Sequence, residues 1–465
     1  MNNATRLDRK SLLGPSSFYK KALDIALPAM LQQLIMALVS LVDNFMVAGL
    51  GDTCMAAVNV SNQVNFIYFT IINTLSTAGG IYIAQYSGAN DREGMKQAFR
   101  FNVIATGMAS ALYLVLCLSI PDRLLGMMLS GNAARADIIH EGSGFLRVVS
   151  FMWVGIGLST SIAAALRVTG DTRAPLFISS AATLLNTFLS WLLIYGNLGA
   201  PRLEVMGAAV ATDLARAVEL ALFLIYLKRK RPDFAFKVST LFKIDPRVLK
   251  SIFSRSWMMI VSESTWVLTE TVLTALFNGR GGAETVAGVA SGFTIANIFF
   301  LAFIGIHTAT AAIVGNTLGA DRLDEARGQA RWIKSGAVIM GLGLAAIEAL
   351  SVLIIPVVFG NLSPSAQGIT RQMVFTVSAF MPLWTLLNAQ FAISRTGGDA
   401  LMGFLVDVVV SLAVFLPLAF LLATYTALGP VALFAAVKST DILKAIVAEI
   451  WLRKERWVRN LTNVS

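Results

Sequence analysis

Cysteine and histidine are nearly absent: the chain holds two of each, Cys54, Cys117, His140 and His307. That scarcity excludes a disulfide framework and leaves too few ligands for a metal centre built on these residues. Charge is scarce as well. Only 14% of the 465 residues are charged while 56% are hydrophobic, against roughly 25% and 45–50% in ordinary soluble chains. Mean hydropathy is +0.70. A soluble chain of this length divides into domains with polar exteriors, so a soluble enzyme is excluded. A nucleotide-binding phosphate loop is also missing: Gly279-Arg280-Gly281-Gly282 is a short connection between apolar runs. Residues 1–20 are polar and lack an apolar stretch with a cleavage site, so no cleaved signal peptide is expected.

What the chain does have is long apolar runs. A membrane-crossing helix takes about 20 apolar residues. Twelve runs qualify, at 22–50, 56–86, 98–120, 139–168, 174–196, 204–227, 251–278, 285–317, 330–357, 368–394, 402–424 and 428–452. Of 37 Lys and Arg, 28 fall in the termini and even-to-odd loops, including one at Arg395. Five (Arg123, Arg135, Arg202, Arg280, Arg371) fall on the other side, and four (Arg147, Arg216, Lys438, Lys444) lie within runs. By the positive-inside rule both termini are cytoplasmic. The net charge of +10 is then a topology signal with an attraction to anionic lipid, and nucleic acid is not needed to explain it.

The chain repeats itself. About 231 residues separate Gly51 from Gly282, Val58 from Val289 and Gly88-Ala89 from Gly319-Ala320. Later the offset is 227–228, from Arg167-x-Thr169-Gly170-Asp171 to Arg395-Thr396-Gly397-Gly398-Asp399, with the Arg and Asp displaced by one, and from Thr212-Asp213 to Thr440-Asp441. Each copy spans six helices, so the copies run parallel about an axis along the membrane normal. The expected fold is therefore an all-α membrane protein, with twelve transmembrane helices in two parallel-repeat six-helix lobes around a central cavity. Residues 1–231 form the N-terminal lobe, 232–250 a cytoplasmic linker and 251–465 the C-terminal lobe.

Pro28-Ala29-Met30-Leu31-Gln32-Gln33 through Asp43-Asn44 to Gly49-Leu50-Gly51 resembles the first helix of the multidrug and toxic compound extrusion (MATE) family. Gly88-Ala89, Leu166 through Thr172, Leu184-Leu185-Asn186 and Gly207 through Thr212 continue the likeness over about 20–450. The resemblance implies a transporter of the bacterial inner membrane, expected to be a monomer, that exports organic cations and other amphiphiles in exchange for H⁺ or Na⁺ and has no cofactor. The chain departs from both coupling patterns of that family. Ser190 stands where the proton-linked branch has an acid, and Asn388-Ala389-Gln390 is the nearest match to the Asp motif of the Na⁺-linked branch.

Acids inside a membrane segment point to a cavity or a partner. Asp43 shares one helical stripe with Gln32, Met36 and Ser40, and reads as a group that trades a proton for a cationic compound. Asn186 and Thr212 can each donate and accept hydrogen bonds beside it, and Asn59, Asn62, Gln63 and Asn73 read as cavity wall. Glu263 and Glu270 lie two turns apart on one face with Trp266 near, a pair suited to a cation. Glu263 could alternatively hold Na⁺. Glu348 and Asp407 are further embedded acids, and Asp213–Arg216 and Asp441–Lys444 form two repeat-related pairs at a spacing of three. His307 reads as a satisfied polar residue. A lipid-linked saccharide flippase needs a cationic cavity, whereas embedded acids outnumber bases here, and the clustered groups of a membrane enzyme are not found.

Alkaline phosphatase fused after Asn460 is expected to be inactive and fused near Asn132 active. The reverse pattern overturns the topology.

Overall fold

The structure, a computed structural model, describes residues 12–48, 52–129 and 135–463. Gly49, Leu50, Gly51 and Asn132 lie outside them. Among the described residues there are helices and connections and no strand. The first half holds α1 (Ser16–Ala48), α2 (Asp52–Gly88), α3 (Arg92–Ser119), the short α4 (Pro121–Met128), α5 (Arg135–Val149), α6 (Met152–Val168), α7 (Arg173–Tyr195) and α8 (Val205–Lys230). The second holds α9 (Pro246–Asn278), α10 (Ala283–Gly319), α11 (Leu323–Leu350), the single-turn α12 (Ile355–Val358) and α13 (Pro364–Thr396). It ends with α14 (Ala400–Phe404), α15 (Leu416–Tyr425), α16 (Pro430–Lys438) and α17 (Thr440–Leu452).

Each apolar run of the sequence falls on one of these helices or on a broken pair. Eight described helical segments are long and apolar enough to cross a membrane, nine when α5 and α6, bent by 48°, count as one. The other three runs fall on α8, α9 and the α16–α17 pair, which carry Asp213, Arg216 and Glu219, Glu263 and Glu270, and Lys438, Asp441 and Lys444. Helix ends follow local chemistry. Asp91 accepts a hydrogen bond from the Gly94 amide at 2.9 Å to start α3, and Ser363, followed by Pro364, accepts one from Ala366 to start α13. Between α14 and α15 the chain makes two π-helical turns, Leu405–Val409 and Ser411–Phe415.

The repeat is visible in the backbone. Helices α1 and α9 both have 33 residues, α2 and α10 37, and α3 and α11 28. Asn90 and Asp321, 231 residues apart, take left-handed φ values of 55° and 58°. Gly170 and Gly398 do the same at 96° and 78°, in the conformation where glycine is least strained. Their separation fixes the later offset at 228 throughout, pairing Arg167 with Arg395 and Asp171 with Asp399. The one-residue displacement expected from the sequence is therefore absent, because Gly398 and not Gly397 carries the turn. A second correction concerns Arg395, which belongs to the last turn of α13 and not to a loop.

By internal packing the chain forms two compact units. One comprises residues 31–83 and 91–253; the other takes the described residues up to Met30, Ala84–Asn90 and the chain from Ser254. In the first, Tyr68 stacks on Tyr113 at 4.1 Å with Trp153 edge-on to both. Their polar ends are satisfied: Tyr113 Oη and Trp153 Nε1 donate to Asn65 Oδ1 at 2.9 and 3.0 Å, and Tyr68 Oη donates to Ser110 at 2.9 Å. In the second, Phe277, Met373, Met381, Phe415 and Phe434 fill one core, while Trp332, Ile393, Met402 and Trp457 belong to another.

That second unit also contains a symmetric close approach. A Cβ on Gly88 would lie 1.9 Å from Asn316 O, and one on Gly319 would lie 1.8 Å from Gln85 O. Each repeat-related glycine therefore admits the other's helix backbone. Inserting even a methyl into such packing costs about 1–3 kcal/mol. Gly88→Ala and Gly319→Ala are each expected to lower the thermal melting midpoint of the purified protein. Gly107→Ala, where nothing lies within 4 Å, is expected to leave it unchanged or raise it, and equal melting of all three overturns the steric account.

Candidate functional site

Asp43 sits in α1 one turn before the end of the described helix. With the Asn186 amide oriented to satisfy both of its neighbours, Asn186 Nδ2 donates to Asp43 Oδ2 at 2.8 Å. The Asn186 oxygen then accepts from Thr212 Oγ1 at 3.1 Å and from the Thr212 amide at 3.2 Å. Thr212 Oγ1 also lies 2.9 Å from Ala208 O, the acceptor one turn back in α8. Three of the sequence-derived residues thus meet, each from a different helix: α1, α7 and α8. Asp43 Oδ1 is buried and makes no hydrogen bond of ordinary geometry, while the Ser190 hydroxyl stands close enough to donate to the carboxylate and the Arg216 guanidinium lies within electrostatic reach. Asn59, Asn62 and Gln63 are exposed, and Asn73 donates to Phe69 O at 3.2 Å. Buried Asn65, which the sequence reading passed over, is the polar centre of α2. Its signal was the polar-rich stretch Asn59–Asn65, in which five of seven residues are polar.

The expected Asp213–Arg216 pair does not form. Arg216 reaches in the other direction along α8 and binds Glu219 at 2.8 Å. Glu219 is 4% exposed, and a buried carboxylate demands the nearest cation; an arginine can reach either neighbour at a spacing of three. Asp213 instead faces the backbone N–H of Met152, at the bend where α6 begins, and its Oδ1 has no partner. A carboxylate there meets the unsatisfied amides and positive end of a helix.

In the other unit the acids are paired. Glu263 binds Arg395 at 2.7 Å and Glu270 binds Lys438, so the two glutamates are not an open pair for a cation. Lys438 also lies over the rings of Trp384, Phe415 and Phe434 at 5.6–5.8 Å. Asp441 does lie near Lys444, at 3.8 Å, but Lys444 is shared with Asp407 at 3.9 Å. Asn388 Oδ1 lies 3.1 Å from His307 Nε2, and Asn388 Nδ2 donates to Trp384 O. This confirms a hydrogen-bonded His307, and places Asn388 beside it. Glu348 is fully buried with neither oxygen partnered. The sequence reading missed these pairings, though one signal was available. Glu263 stands 231 residues after Gln32, and Arg395 228 after Arg167, and Arg167 donates to Gln32 at 2.9 Å. The same contact joins the guanidinium to a neutral amide in the first repeat and to a carboxylate in the second.

The model of the MatE family matches residues 28–192 and 259–421, one segment in each repeat. The chain belongs to the MatE family. It is 23% identical over 443 residues to a probable multidrug resistance protein NorM of Thermotoga maritima, covering 94% of this chain and 93% of that one. A probable multidrug resistance protein NorM of Halalkalibacterium halodurans is 25% identical over 448 residues, with 94% of each covered. The fold matches the outward-facing conformation of a multidrug resistance MATE family transporter of the MOP superfamily with a TM-score of 0.83 at 21% identity, over 98% of this chain and 99% of that one. The MatE chain described here is accordingly a multi-pass membrane transporter with twelve transmembrane helices in two lobes.

Removing one partner of a buried ion pair typically costs about 3–5 kcal/mol, because the other charge is stranded. Arg216→Ala is therefore expected to lower expression and thermal stability. Adding Glu219→Ala is expected to recover much of the loss, and adding Asp213→Ala to recover little. Equal recovery by both overturns the pairing.

Proposed function

We propose that this MatE protein is a secondary antiporter that exports small amphipathic organic cations in exchange for protons, by alternating access. The observation that carries this reading is Asp43: one carboxylate oxygen is held by Asn186, and the other is buried and makes no hydrogen bond of ordinary geometry, with the Ser190 hydroxyl near the carboxylate. A carboxylate with one open oxygen is chemically suited to take a proton in one state and to face an organic cation in another. Asn186 supports both forms because its NH2 donates equally to a carboxylate oxygen or to the C=O of a carboxylic acid, and Thr212 fixes the amide's direction. The multidrug resistance names of the relatives accord with such substrates.

The Na⁺ reading has less support. Its expected ligand, Glu263, already holds a guanidinium at 2.7 Å, and Asn388 contributes a neutral amide engaged with His307. The flippase reading needs unpaired cations to hold a phosphate, and Lys438, Lys444, Arg216 and Arg395 all face carboxylates. We place the protein in a bacterial-type inner membrane as a monomer with cytoplasmic termini, its lobes being residues 1–231 and 251–465 joined by the linker 232–250. The 28-to-5 distribution of basic residues supports that orientation.

Proteoliposomes test the reading. Wild-type protein is expected to move a fluorescent organic cation in response to a pH step and not a Na⁺ step. Asp43→Asn, which keeps the hydrogen-bonding shape and removes the titratable group, is expected to insert normally and lose the pH-driven movement. Wild-type rates in Asp43→Asn, or movement driven by Na⁺ alone, overturn it.

A further inference from the structure

Seven acids and bases of the second unit form a single alternating line. Glu263 pairs with Arg395 at 2.7 Å, and Arg395 lies within electrostatic reach of Asp407. Asp407 and Asp441 both face Lys444, at 3.9 and 3.8 Å. Asp441 in turn acts on Lys438, which pairs with Glu270. The line draws on α9, α13, the π-helical turn before α15, and the α16–α17 pair. It begins and ends on a carboxylate, so it holds four acids and three bases.

The surplus charge can be located. Glu263 and Glu270 each have a base in direct contact. The middle two acids share one ammonium, and each is farther from it than a close salt bridge allows. Asp407, Asp441 and Lys444 are all buried, at 6–7% exposure. An unneutralised charge in such a place is costly, and the ordinary outcome is neutralisation. The remaining contacts of the two acids are neutral donors: Ser262 Oγ donates to Asp407 Oδ2 at 2.6 Å, and Trp384 Nε1 donates to Asp441 Oδ2 at 2.9 Å. Donors and an ammonium leave a Na⁺ ion without an oxygen shell, whereas a proton needs only one free carboxylate oxygen. Asp407 lies inside the Leu405–Val409 π-turn, a distortion that recurs at functional sites because it re-aims side chains and loosens backbone bonding.

We infer that Asp407, Lys444 and Asp441 together form a second proton-binding site, which holds one proton at neutral pH and contributes it to the exchange. This rests on the reading of the protein as a proton antiporter, and the site lies outside the Asp43 group. The charged groups that act on the three are Glu263 on α9, Arg395 on α13 and Lys438 on α16, with Glu270 on α9 held by Lys438; Glu449, on α17 itself, is held by Lys334, Asp399 accepts from Trp451, and His307 lies beyond Arg395, bonded to Asn388.

The test uses the full-length protein in liposomes and two measurements. Infrared spectra at neutral pH read the deuterium-sensitive C=O stretch of protonated carboxyls. Any protonated carboxyl outside the line forms a background that the substitutions below do not touch. Asp407→Asn leaves one acid facing Lys444, and is expected to lose one protonated-carboxyl component. Asp441→Asn is expected to lose the same component, which provides a second variant if the first does not fold. Lys444→Met is expected to gain one. The second measurement is the number of protons moved per tetraphenylphosphonium exported, expected to fall by half in Asp407→Asn or Asp441→Asn. Spectra that superpose on wild type, or an unchanged proton ratio, overturn the inference. If wild-type protein exports no tetraphenylphosphonium, the antiport reading fails, and the infrared result alone then decides the site.

Discussion

Everything distinctive in this molecule follows from the cost of keeping an ionised side chain out of water. A segment that carries a carboxylate through the membrane must bring a cation, a set of donors, or a proton. The chain meets this demand unevenly from place to place. Glu219, Glu263 and Glu270 have cations. Asp43 has an amide on one oxygen only, and Glu348 has nothing at all. The paired acids lie on α8 and α9, while Asp43 and Glu348 lie on α1 and α11, two of the helices long and apolar enough to cross a membrane.

The two repeats share a backbone and differ in charge. The left-handed residues Asn90 and Asp321, and Gly170 and Gly398, end equivalent helices in the same way. Asp171 and Asp399, equivalent in sequence, each accept from an aromatic donor on the last helix of their own half, Tyr226 and Trp451. On this common frame the first repeat places Gln32 against Arg167 and the second Glu263 against Arg395. One changed atom type converts a guanidinium–amide contact into an ion pair. The first repeat holds an incompletely satisfied acid near Asn186, and the second pairs Glu263 and Glu270 with bases while Glu348 has none.

Close packing at small residues makes such a frame rigid where it must be. Gly88 and Gly319 let two helix ends approach until each backbone lies where the other's Cβ would be. Membrane helices gain little from the hydrophobic effect between themselves, so close contact and interhelical hydrogen bonds hold them together. Gln85 illustrates the second term, with its amide donating to Thr396 O at 2.8 Å and accepting from the Leu461 amide.

The sequence by itself determined the helical class, the positions of the twelve apolar runs and the parallel repeat, because hydropathy and periodicity act locally and survive without knowledge of neighbours. It also singled out Asp43, Asn186 and Thr212, which meet in space, because an intramembrane polar residue is conspicuous in any context. Partner choice was decided only by the tertiary structure. Arg216 has acids three residues away on both sides, and nothing local says that Glu219 wins over Asp213. Arg395 looked like a loop cation until α13 extended past it and delivered it to Glu263, a residue 132 positions away. Lys444 meets Asp407 as well as Asp441 because the π-turns bring the former against α17. Ion pairing across helices depends on distance and burial together, and neither is defined before the helices pack.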